Sequence, residues 1–415
     1  MSSSDTMIAS LDIGSNKMCC MIAAKEDSGI YKIIGMGHSA SLGIKSGVVI
    51  DMKLAQESIC KTVSIAEKQA GIKINGVSVS ITASNIISKV INLELEIDEQ
   101  VTEKDIENTY LMTAELCQQS KTRSIHAFPL NYSIDGADGI KDPIGMFAEK
   151  LNIDLVVISV VDSLFKNYIK CITKCDINVL DVVSSSYAAG LAVLKEDEIN
   201  VGSVLIEMGS STTSLGVFLD GKMVFTKTLA IGGDDITLEI ARKFSISIEE
   251  AEKIKVMHAS AISGSEDTHV LLDLPNFSDR ESFEPPQITR KGLVLICKPI
   301  IEKILSDFKN QLSISGYGKL VSRTLVLTGG ACQLDGVNLV ARDIFGYQTR
   351  IGYPINIRSN IINIVDDTTF AVSCGLITKT ISNFSKNPKR AKIRQDLKNN
   401  FSFSKIKSWI GENFL

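Results

Sequence analysis

The sequence predicts a mixed α/β protein built from two related lobes. Short apolar runs with the pattern of buried strands alternate with segments of helical spacing. One strand-turn-strand phrase also occurs twice, the second copy about 195 residues after the first. The chain has 415 residues, of which 44% are apolar and 22% charged. This is enough for two or three domains with a sizeable core, and it is not the composition of a disordered chain.

The repeated phrase is an apolar strand that ends in an acidic residue, followed by a turn of small polar residues and a second apolar strand. Its copies are SLDIGSNKMCCMI (10–22) and LIEMGSSTTSLGVF (205–218). Such a turn points backbone N–H groups outward with little side chain in the way, which suits phosphate oxygens. Gly-Ser turns between strands are also common where no ligand binds, and the hairpins alone leave that alternative open. The phosphate turns predicted here consist of Asp12, Gly14, Ser15, Asn16 and Lys17, and of Glu207, Gly209, Ser210, Ser211, Thr212 and Thr213.

The acidic residue of each hairpin is a candidate metal ligand. Carboxylate oxygens suit Mg²⁺, which gives up its waters reluctantly and is often held through them. We therefore expect Asp12 and Glu207 to bind Mg²⁺ through water, with the two turns holding a triphosphate between them.

Three further elements extend the pattern. LVLTGGACQLDGV (325–337) places Gly329, Gly330 and Ala331 after a buried strand, where an unhindered backbone can lie against a base and sugar. INVLDVVSSSYAAGLAVL from Ile177 and TTFAVSCGLIT from Thr368 are expected to be helices with small-residue faces. Tight helix packing without any ligand is the alternative for these two segments.

Other helices are indicated by periodicity and capping residues. Helical spacing covers 54–71 and 234–257. Thr102 with Asp105, and Ser247 with Glu250, have the spacing of capping boxes. Residues 258–289 are rich in Ser, Asp and Glu and are expected to form an exposed insertion.

Composition restricts the compartment and the chemistry. The N-terminus lacks the basic start and apolar core of a secretory signal, and no apolar stretch approaches the roughly 20 residues that cross a bilayer. We therefore expect a cytoplasmic protein. The nine cysteines contain no CxxC and the four histidines no HExxH. Buried reduced thiols are expected, and a zinc-type site is not.

The end of the chain differs from the rest in charge and pattern. Residues 382–400 carry six Lys or Arg against one Asp, whereas the rest of the chain is acidic and poorly suited to nucleic acid. At 100° per residue, the tail 401–415 forms one apolar stripe, with a length suited to lying in a membrane interface. Docking on the protein's own core is the alternative. The predicted membrane-contacting residues are Phe403, Ile406, Trp409, Ile410 and Phe414, with Lys405 and Lys407 facing an anionic surface.

The order hairpin, small helix, hairpin, Gly-Gly loop, small helix resembles the actin, Hsp70 and sugar kinase superfamily, whose two lobes hold ATP in a cleft. Within it, GHSASLGIKSGVVIDM (37–52), VTEKDIENTY, IGGDDITLEIARKFSISIEEAEKIKVMHASA, QTRIGYPINI (348–357) and SKIKSWIGENFL resemble the FtsA family of bacterial cell division. The resemblance implies an actin-like, two-lobed ATPase fold of duplicated RNase H-like domains. It also implies an inserted 1C subdomain and a C-terminal amphipathic helix.

The resemblance divides the chain into segments. The expected ranges are 1–80 and 163–200 for lobe I, 81–162 for the inserted subdomain, 201–365 for lobe II with its subdomains 2A and 2B, 366–381 for a closing helix, 382–400 for a basic linker and 401–415 for the membrane helix.

Ligands and partners also follow from the resemblance. Gly232, Gly233, Glu252 and Lys255 lie in the stretch that resembles the family's helix next to the nucleotide base, so ATP with Mg²⁺ is expected. FtsA-like proteins polymerise and hold the C-terminal peptide of FtsZ on subdomain 2B, at the inner face of the membrane at the division site with other division proteins. Here Arg290 matches a family arginine, with Lys291, Lys298 and Glu302 nearby, whereas Ile300 stands where the family often has another arginine.

The second turn argues against rapid catalysis. The superfamily usually has Asp where this chain has Glu207, and the longer side chain displaces the carboxylate relative to a metal. No residue is identified as a catalytic base. We therefore expect that the protein is not an enzyme, or at most hydrolyses ATP slowly. The alternatives are an assembly protein of the PilM type, which would lack the terminal helix, and a sugar or acetate kinase, which would show an acidic catalytic base.

Overall fold

The structure is a computed structural model that describes residues 7–26, 28–264, 271–273, 287–355, 357–359 and 366–386. The first part of lobe I is a strand meander with one long helix. It consists of β1 (Met7–Ile13), β2 (Lys17–Lys25), β3 (Tyr31–Ala40), β4 (Ile44–Lys45), β5 (Val48–Val49), α1 (Met52–Ala70) and β6 (Gly76–Ile81). Asp51 caps α1 by accepting from two backbone N–H groups, and Gly71 ends it in the left-handed conformation.

The insert that follows β6 is a four-stranded antiparallel sheet covered by one helix. Its elements are β7 (Ile87–Glu96), α2 (Glu103–Gln119), β8 (Thr122–Ile134), β9 (Ala137–Ile140) and β10 (Lys150–Val161). The chain then returns to lobe I through α3 (Asp162–Thr173), β11 (Asn178–Ser184), α4 (Ser185–Val193) and α5 (Glu196–Val201).

Lobe II repeats the plan of lobe I. Its elements are β12 (Ser203–Met208), β13 (Thr213–Leu219), β14 (Lys222–Leu229), α6 (Gly233–Phe244), α7 (Ile248–His258), β15 (Leu271–Asp273), β16 (Gln287–Thr289), α8 (Arg290–Ile314), β17 (Thr324–Thr328), α9 (Val337–Phe345) and β18 (Gln348–Ile351). The chain then returns to lobe I, where β19 (Arg358–Ser359) joins the sheet beside β3 and α10 (Ala371–Lys386) packs on β1, β2 and β6.

The two large sheets have the same strand order. In lobe I the order is β3-β2-β1-β6-β11, with β19 added at the outer edge, and in lobe II it is β14-β13-β12-β17-β18. In each sheet the first three strands are antiparallel neighbours and the last two join in parallel. The predicted fold class, with two related lobes, is therefore confirmed.

Helices α4 and α10 cross closely where the two lobes meet. A Cβ on Gly375 of α10 would lie 1.7 Å from the carbonyl oxygen of Ala188 in α4, so only glycine permits this approach. A Cβ on Gly190 would lie 2.1 Å from the ring of Phe218 in lobe II. The small-residue faces predicted from the sequence are thus used for helix packing, and a core cluster with residues from both lobes surrounds them.

Two helix boundaries differ from those expected. The segment from Ile177 begins as strand β11, because its β-branched residues pair in parallel with β6, and the helix starts only at Ser185. The segment 234–257 is divided into α6 and α7, since Ser245 adopts a left-handed conformation (φ 53°) that ends the first helix. The capping boxes Thr102–Asp105 and Ser247–Glu250 are both confirmed.

Part of the expected insertion 258–289 is packed into the protein. Ser260 and Ala261 are buried, and Ser260 Oγ donates to the backbone carbonyl of Asp335 at 3.2 Å. The prediction of an exposed loop is therefore wrong for these residues. Ser260 forms a parallel β-bridge with Asp335, in the segment after β17. Residues 265–270 and 274–286 lie outside the described residues.

One cysteine expectation is also wrong. Cys60 of α1 and Cys175, just beyond α3, form a disulfide between residues 115 positions apart in the chain. The pairing arises because α1 and α3 pack side by side, which local spacing does not reveal. The remaining seven cysteines are free and buried, as predicted.

The end of the chain is only partly described. Helix α10 continues to Lys386, inside the range expected to begin the linker. The predicted membrane helix 401–415 lies outside the described residues. No helix within the described ranges has the length and apolar character needed to cross a bilayer.

Candidate nucleotide and metal site

The two predicted phosphate turns have the same backbone geometry. In the first, the N–H of Gly14 donates to the carbonyl of Lys17 at 3.2 Å, and in the second the N–H of Gly209 donates to the carbonyl of Thr212 at 2.9 Å. A Cβ would lie 2.7 Å from the Lys17 carbonyl oxygen at Gly14 and 2.8 Å from the Thr212 carbonyl oxygen at Gly209. Both turns therefore require glycine at the same place.

The acidic residues beside the turns lie in one cavity, close enough to influence each other. Ser80 Oγ donates to Asp12 Oδ1 at 2.6 Å and accepts from the N–H of Ile13, which fixes the Asp12 carboxylate. Burial raises the pKa of Asp12, and the Ser80 hydrogen bond and the charge of Lys17 partly offset this. Burial, and then the charge of Asp12, raise the pKa of Glu207 to about 8.

Polar contacts join the lobes beside the turns. Ser211 Oγ accepts from the N–H of Ser46 at 3.2 Å, and Ser15 Oγ accepts from the N–H of Gly47 at 3.3 Å. The first contact joins a turn of lobe II to a loop of lobe I. The end of the cavity at the two turns is therefore bounded by both lobes.

The cavity has a volume of about 540 Å³, within the range of sites for small-molecule ligands. Most residues predicted to bind the nucleotide line it, namely Asp12, Gly14, Ser15, Asn16, Lys17, Glu207, Gly209, Ser210, Thr212, Gly233, Glu252, Lys255, Gly329, Gly330 and Ala331.

Three of the predicted residues do not line the cavity and instead support its walls. Ser211 bonds across to lobe I as described above. Thr213 is buried and donates its hydroxyl to the carbonyl of Ile231 at 2.8 Å. Gly232 packs against the second turn, where a Cβ would lie 2.4 Å from the carbonyl oxygen of Ser210. These residues hold the loop between β14 and α6 against the turn.

The cavity's far wall is made by α6, α7 and the Gly-Gly loop. Lys255 Nζ is 2.7 Å from Glu252 Oε2 and donates to the hydroxyl of Thr237 at 2.9 Å, so these side chains form one network. Gly329 has a φ of 90°, and a Cβ there would lie 2.5 Å from the Met208 carbonyl oxygen, next to the second turn. Loop and turn are therefore packed backbone to backbone.

Lys17 and Arg290 have surroundings that the sequence did not indicate. Lys17 Nζ lies 4.4 Å from the centroid of the Phe370 ring, a cation–π contact beside the first turn. Arg290, expected on a partner surface, also lines the cavity and lies 3.5 Å from Asp335. Lys298 and Glu302, farther along α8, form a half-exposed pair at 3.7 Å.

Several cavity residues were missed by sequence reasoning. Thr82 follows β6, Ser185 begins α4, and Asp234 lies in the first turn of α6. Thr368 and Thr369 precede α10. Each of these residues lies at the end of a strand or the start of a helix. Ligands of α/β proteins often bind at such positions, and this is the signal by which the sequence could have indicated them.

The residues present fit a magnesium ion. Two carboxyl groups from different lobes line one cavity, and burial raises the pKa of both, so a cation beside them would favour their charged forms. Within the described ranges no group of three or more potential metal ligands occurs. Mg²⁺ is commonly held by one or two carboxylates together with water and phosphate oxygens, which is the arrangement possible here.

Family models match two parts of the chain. The model described as Cell division protein FtsA matches residues 204–375. The model described as SHS2 domain inserted in FTSA matches residues 80–159, which cover the four-stranded insert except for the last two residues of β10.

Curated relatives cover most of the chain. A cell division protein FtsA of Agrobacterium fabrum is 31% identical over 382 residues, covering 89% of this chain and 86% of the relative. FtsA of Rhizobium meliloti is 30% identical, covering 98% and 95%. FtsA of Escherichia coli is 26% identical, covering 89% of each chain.

Solved structures share the fold at lower identity. A PilM–PilN type IV pilus biogenesis complex contains a chain with a TM-score of 0.65 and 13% identity, covering 90% of this chain and 98% of that chain. MreB5 of Spiroplasma citri bound to ADP has a TM-score of 0.55 and 13% identity, covering 93% and 98%. These similarities show an actin-like fold.

Proposed function

The chain belongs to the FtsA family of cell division proteins, and we propose that it is an ATP-binding, actin-like protein that anchors FtsZ filaments. It polymerises at the inner face of the cytoplasmic membrane, at the division site, and helps to assemble and activate the division machinery. The observation that carries the proposal is the pair of equivalent turns, one from each lobe, on a single cavity.

ATP with Mg²⁺ is the ligand that this cavity fits best. The backbone N–H groups of the two turns suit phosphate oxygens, and Asp12 and Glu207 suit a hydrated divalent cation between them. An adenosine could lie against the opposite wall of the cavity. This wall has polar side chains from Glu252 and Lys255 and backbone without bulky side chains at Gly329–Ala331. A solved structure of the same fold, MreB5, is described as bound to ADP, which supports a nucleotide here.

The nucleotide acts as an assembly switch with slow hydrolysis or none. Glu207 has a longer side chain than the Asp usual in the superfamily, and no side chain in the cavity is identified as a base for an attacking water. Clear ATP binding with nearly flat phosphate release is expected. Turnover near one per second or faster would contradict this part of the proposal.

Membrane attachment is assigned to the tail 401–415. A short amphipathic segment binds an interface only marginally, and each Lys or Arg near an anionic leaflet adds about 1 kcal/mol. Many tails on one polymer bind together with large avidity. Assembly driven by ATP therefore makes attachment firm.

FtsZ binding is assigned to α8 in subdomain 2B. Lys298 and Glu302 are half exposed on this helix, and Lys291 lies near its start. A charged helix face suits a peptide with charges of both signs. Because Arg290 also lines the nucleotide cavity, the same helix reaches from the nucleotide to this surface.

A PilM-type assembly protein is the second candidate, because a PilM chain shares the fold with a TM-score of 0.65. Sequence favours FtsA, since the identity is 30–31% to the rhizobial FtsA proteins and 13% to the PilM complex chain. A sugar or acetate kinase is less favoured because no acidic catalytic base was identified.

Sedimentation with FtsZ filaments on anionic vesicles, with and without ATP, tests the proposal. We expect both FtsZ and this protein in the vesicle pellet, and more of them with ATP. The matched variant lacks residues 401–415 and is expected to bind ATP but to stay in the supernatant. Unchanged sedimentation of that variant would refute the anchor, and FtsZ remaining in solution would refute the link.

A further inference from the structure

Ser185 is a buried hydroxyl group that the protein itself does not satisfy. Only 2% of its surface is exposed, and its Oγ has no hydrogen-bond partner among the described residues. It nevertheless lines the nucleotide cavity. A buried hydroxyl without a partner is costly, so its position on a cavity wall points to a ligand that supplies the missing bond.

The hydroxyls of Ser10, Ser41 and Ser203 are also buried without a partner in the described part of the chain, but unlike Ser185 they do not line the cavity. The serines on either side of Ser185 do have partners. Ser184 is the N-cap of α4, and its side chain accepts from the N–H of Tyr187. Ser186 Oγ lies 2.9 Å from the hydroxyl of Thr226 in β14. Of the three consecutive hydroxyls, two are used inside the protein and the middle one lines the cavity.

Ser185 also begins a helix whose N-terminus borders the cavity. Helix α4 has nine residues, and the first N–H groups of a helix have no partner within it. Together with the helix dipole, they favour a negative charge. The N–H of Tyr187 is taken by Ser184 Oγ and that of Ser184 by His126, so the donor set for an anion is the Ser185 hydroxyl with the remaining N–H groups of the first turn.

The strand arrangement places this donor set at the phosphate end of the cavity. Strands β1 and β11 both pair in parallel with β6, so their carboxyl ends lie at the same sheet edge. Asp12 is at that end of β1, and Ser185 directly follows β11. The base end is built instead by lobe II, from α7 and the Gly-Gly loop.

We propose that Ser185 Oγ, with the N-terminal N–H groups of α4, binds the terminal phosphate of a nucleoside triphosphate and so distinguishes it from a diphosphate. The inference rests on the proposed function, because it assumes that the cavity holds a nucleotide. It adds a residue that responds to the nucleotide state.

Because α4 packs tightly against both lobes, a contact between Ser185 and a phosphate would affect the elements around this helix. Gly190 of α4 lies against the ring of Phe218 in lobe II, and Ala188 lies against Gly375 of α10, with no space for an added methyl group at either glycine. A shift of α4 toward a terminal phosphate therefore displaces elements of both lobes. Helix α10 directly precedes residues 387–415, so the contact is linked to the segment that carries the tail.

Equilibrium binding of AMP-PNP and of ADP, each with Mg²⁺, to the full-length protein and to Ser185→Ala tests the proposal. Loss of a hydrogen bond to a charged group should weaken AMP-PNP binding about tenfold or more. ADP binding should stay within about twofold. The thermal midpoint without nucleotide should not fall, because the variant removes a hydroxyl that lacks a partner.

Ser186→Ala is the matched control, since it removes an equally buried hydroxyl from the next position of the same helix. It should lower the thermal midpoint, because the buried hydrogen bond between Ser186 and Thr226 is lost, and leave the ratio of AMP-PNP to ADP affinity unchanged. Equal weakening of both nucleotides by Ser185→Ala, or weakening of neither, would overturn the inference. If the unmodified protein binds neither nucleotide, the proposed function fails first and the inference falls with it.

Discussion

At the residue scale, Asp12 and Glu207 come from opposite lobes and lie on one cavity. Burial raises the pKa of both carboxyl groups, and the charge of Asp12 raises the pKa of Glu207 further. A divalent cation between them relieves both effects. Under the proposed function, we therefore expect nucleotide affinity to depend on Mg²⁺.

Glu207→Gln should reduce the gain in ATP affinity that Mg²⁺ produces, by about 10- to 100-fold, as for changes to outer-shell partners of metal ions. The physical reason is that a neutral amide cannot balance the charge of the ion or of its bound water. A titration of a fluorescent ATP analogue with and without Mg²⁺ measures this gain.

The control is Glu252→Gln, because Glu252 lies in the same cavity but is paired with Lys255. It should change ATP affinity equally with and without Mg²⁺. If Glu207→Gln leaves the Mg²⁺ dependence intact, Glu207 has no part in holding the ion.

His126 makes stability depend on pH. It is buried and accepts from the N–H of Ser184 at 2.9 Å through Nε2, and burial lowers its pKa to about 3. The unfolded chain gains a proton near pH 6.5, whereas the folded protein does not until about pH 3. Stability is therefore lost as the pH falls through this window, by about 1.4 kcal/mol per unit.

His126→Gln keeps a hydrogen-bond acceptor and does not titrate. It should lower stability at pH 8, because the ring contacts with Phe128 and Tyr187 are lost. Between pH 8 and pH 5 the original protein should lose about 2 kcal/mol more than the variant. Urea unfolding at both pH values measures this difference, and parallel pH profiles would show that His126 is protonated in the folded protein.

At the element scale, the crossing of α4 and α10 lies where the two lobes meet. Gly375→Ala places a methyl group 1.7 Å from the Ala188 carbonyl oxygen, so the helices must separate. Overpacking of this kind typically costs about 1–3 kcal/mol, more than the roughly 1 kcal/mol that alanine gains in helix propensity. A lower free energy of unfolding in denaturant is expected.

Ser382→Ala on the exposed part of the same helix is the control. It should leave stability unchanged or slightly raised, because alanine has the higher helix propensity. Equal stability of the Gly375 and Ser382 variants would mean that the crossing is looser than the structure shows.

At the scale of the whole molecule, the two lobes share one strand order and one cavity. Mg-ATP should therefore reduce hydrogen exchange at both turns together, residues 13–17 and 208–213. At about 100 times its Kd, ATP should also add about 2.7 kcal/mol to the free energy of unfolding. Hydrogen–deuterium exchange with mass spectrometry measures the protection, and protection of one turn only would contradict a shared site.

Local patterns account for the correct predictions. The hairpins could be recognised because the strand period and the turn residues lie within a few positions of each other. The capping boxes Thr102–Asp105 and Ser247–Glu250 span four residues each. Such features depend on neighbours in the chain, which the sequence displays directly.

The wrong or missing predictions depend on distant neighbours. The residues from Asn178 form a strand because β6, about 100 positions earlier, offers an edge to pair with. Cys60 meets Cys175 because α1 and α3 pack together. Arg290 and Ser185 line the cavity because the folding of two lobes brings them there.

The sequence by itself determined the duplicated α/β plan, the two glycine turns after the first strand of each lobe and the family, because short contiguous patterns specify them. The tertiary structure alone decided that both turns border one cavity, that Asp12 and Glu207 share it, and that Ser185 is left without a partner there. Cavities and buried charges arise from contacts between distant segments, and their geometry exists only once the lobes are packed.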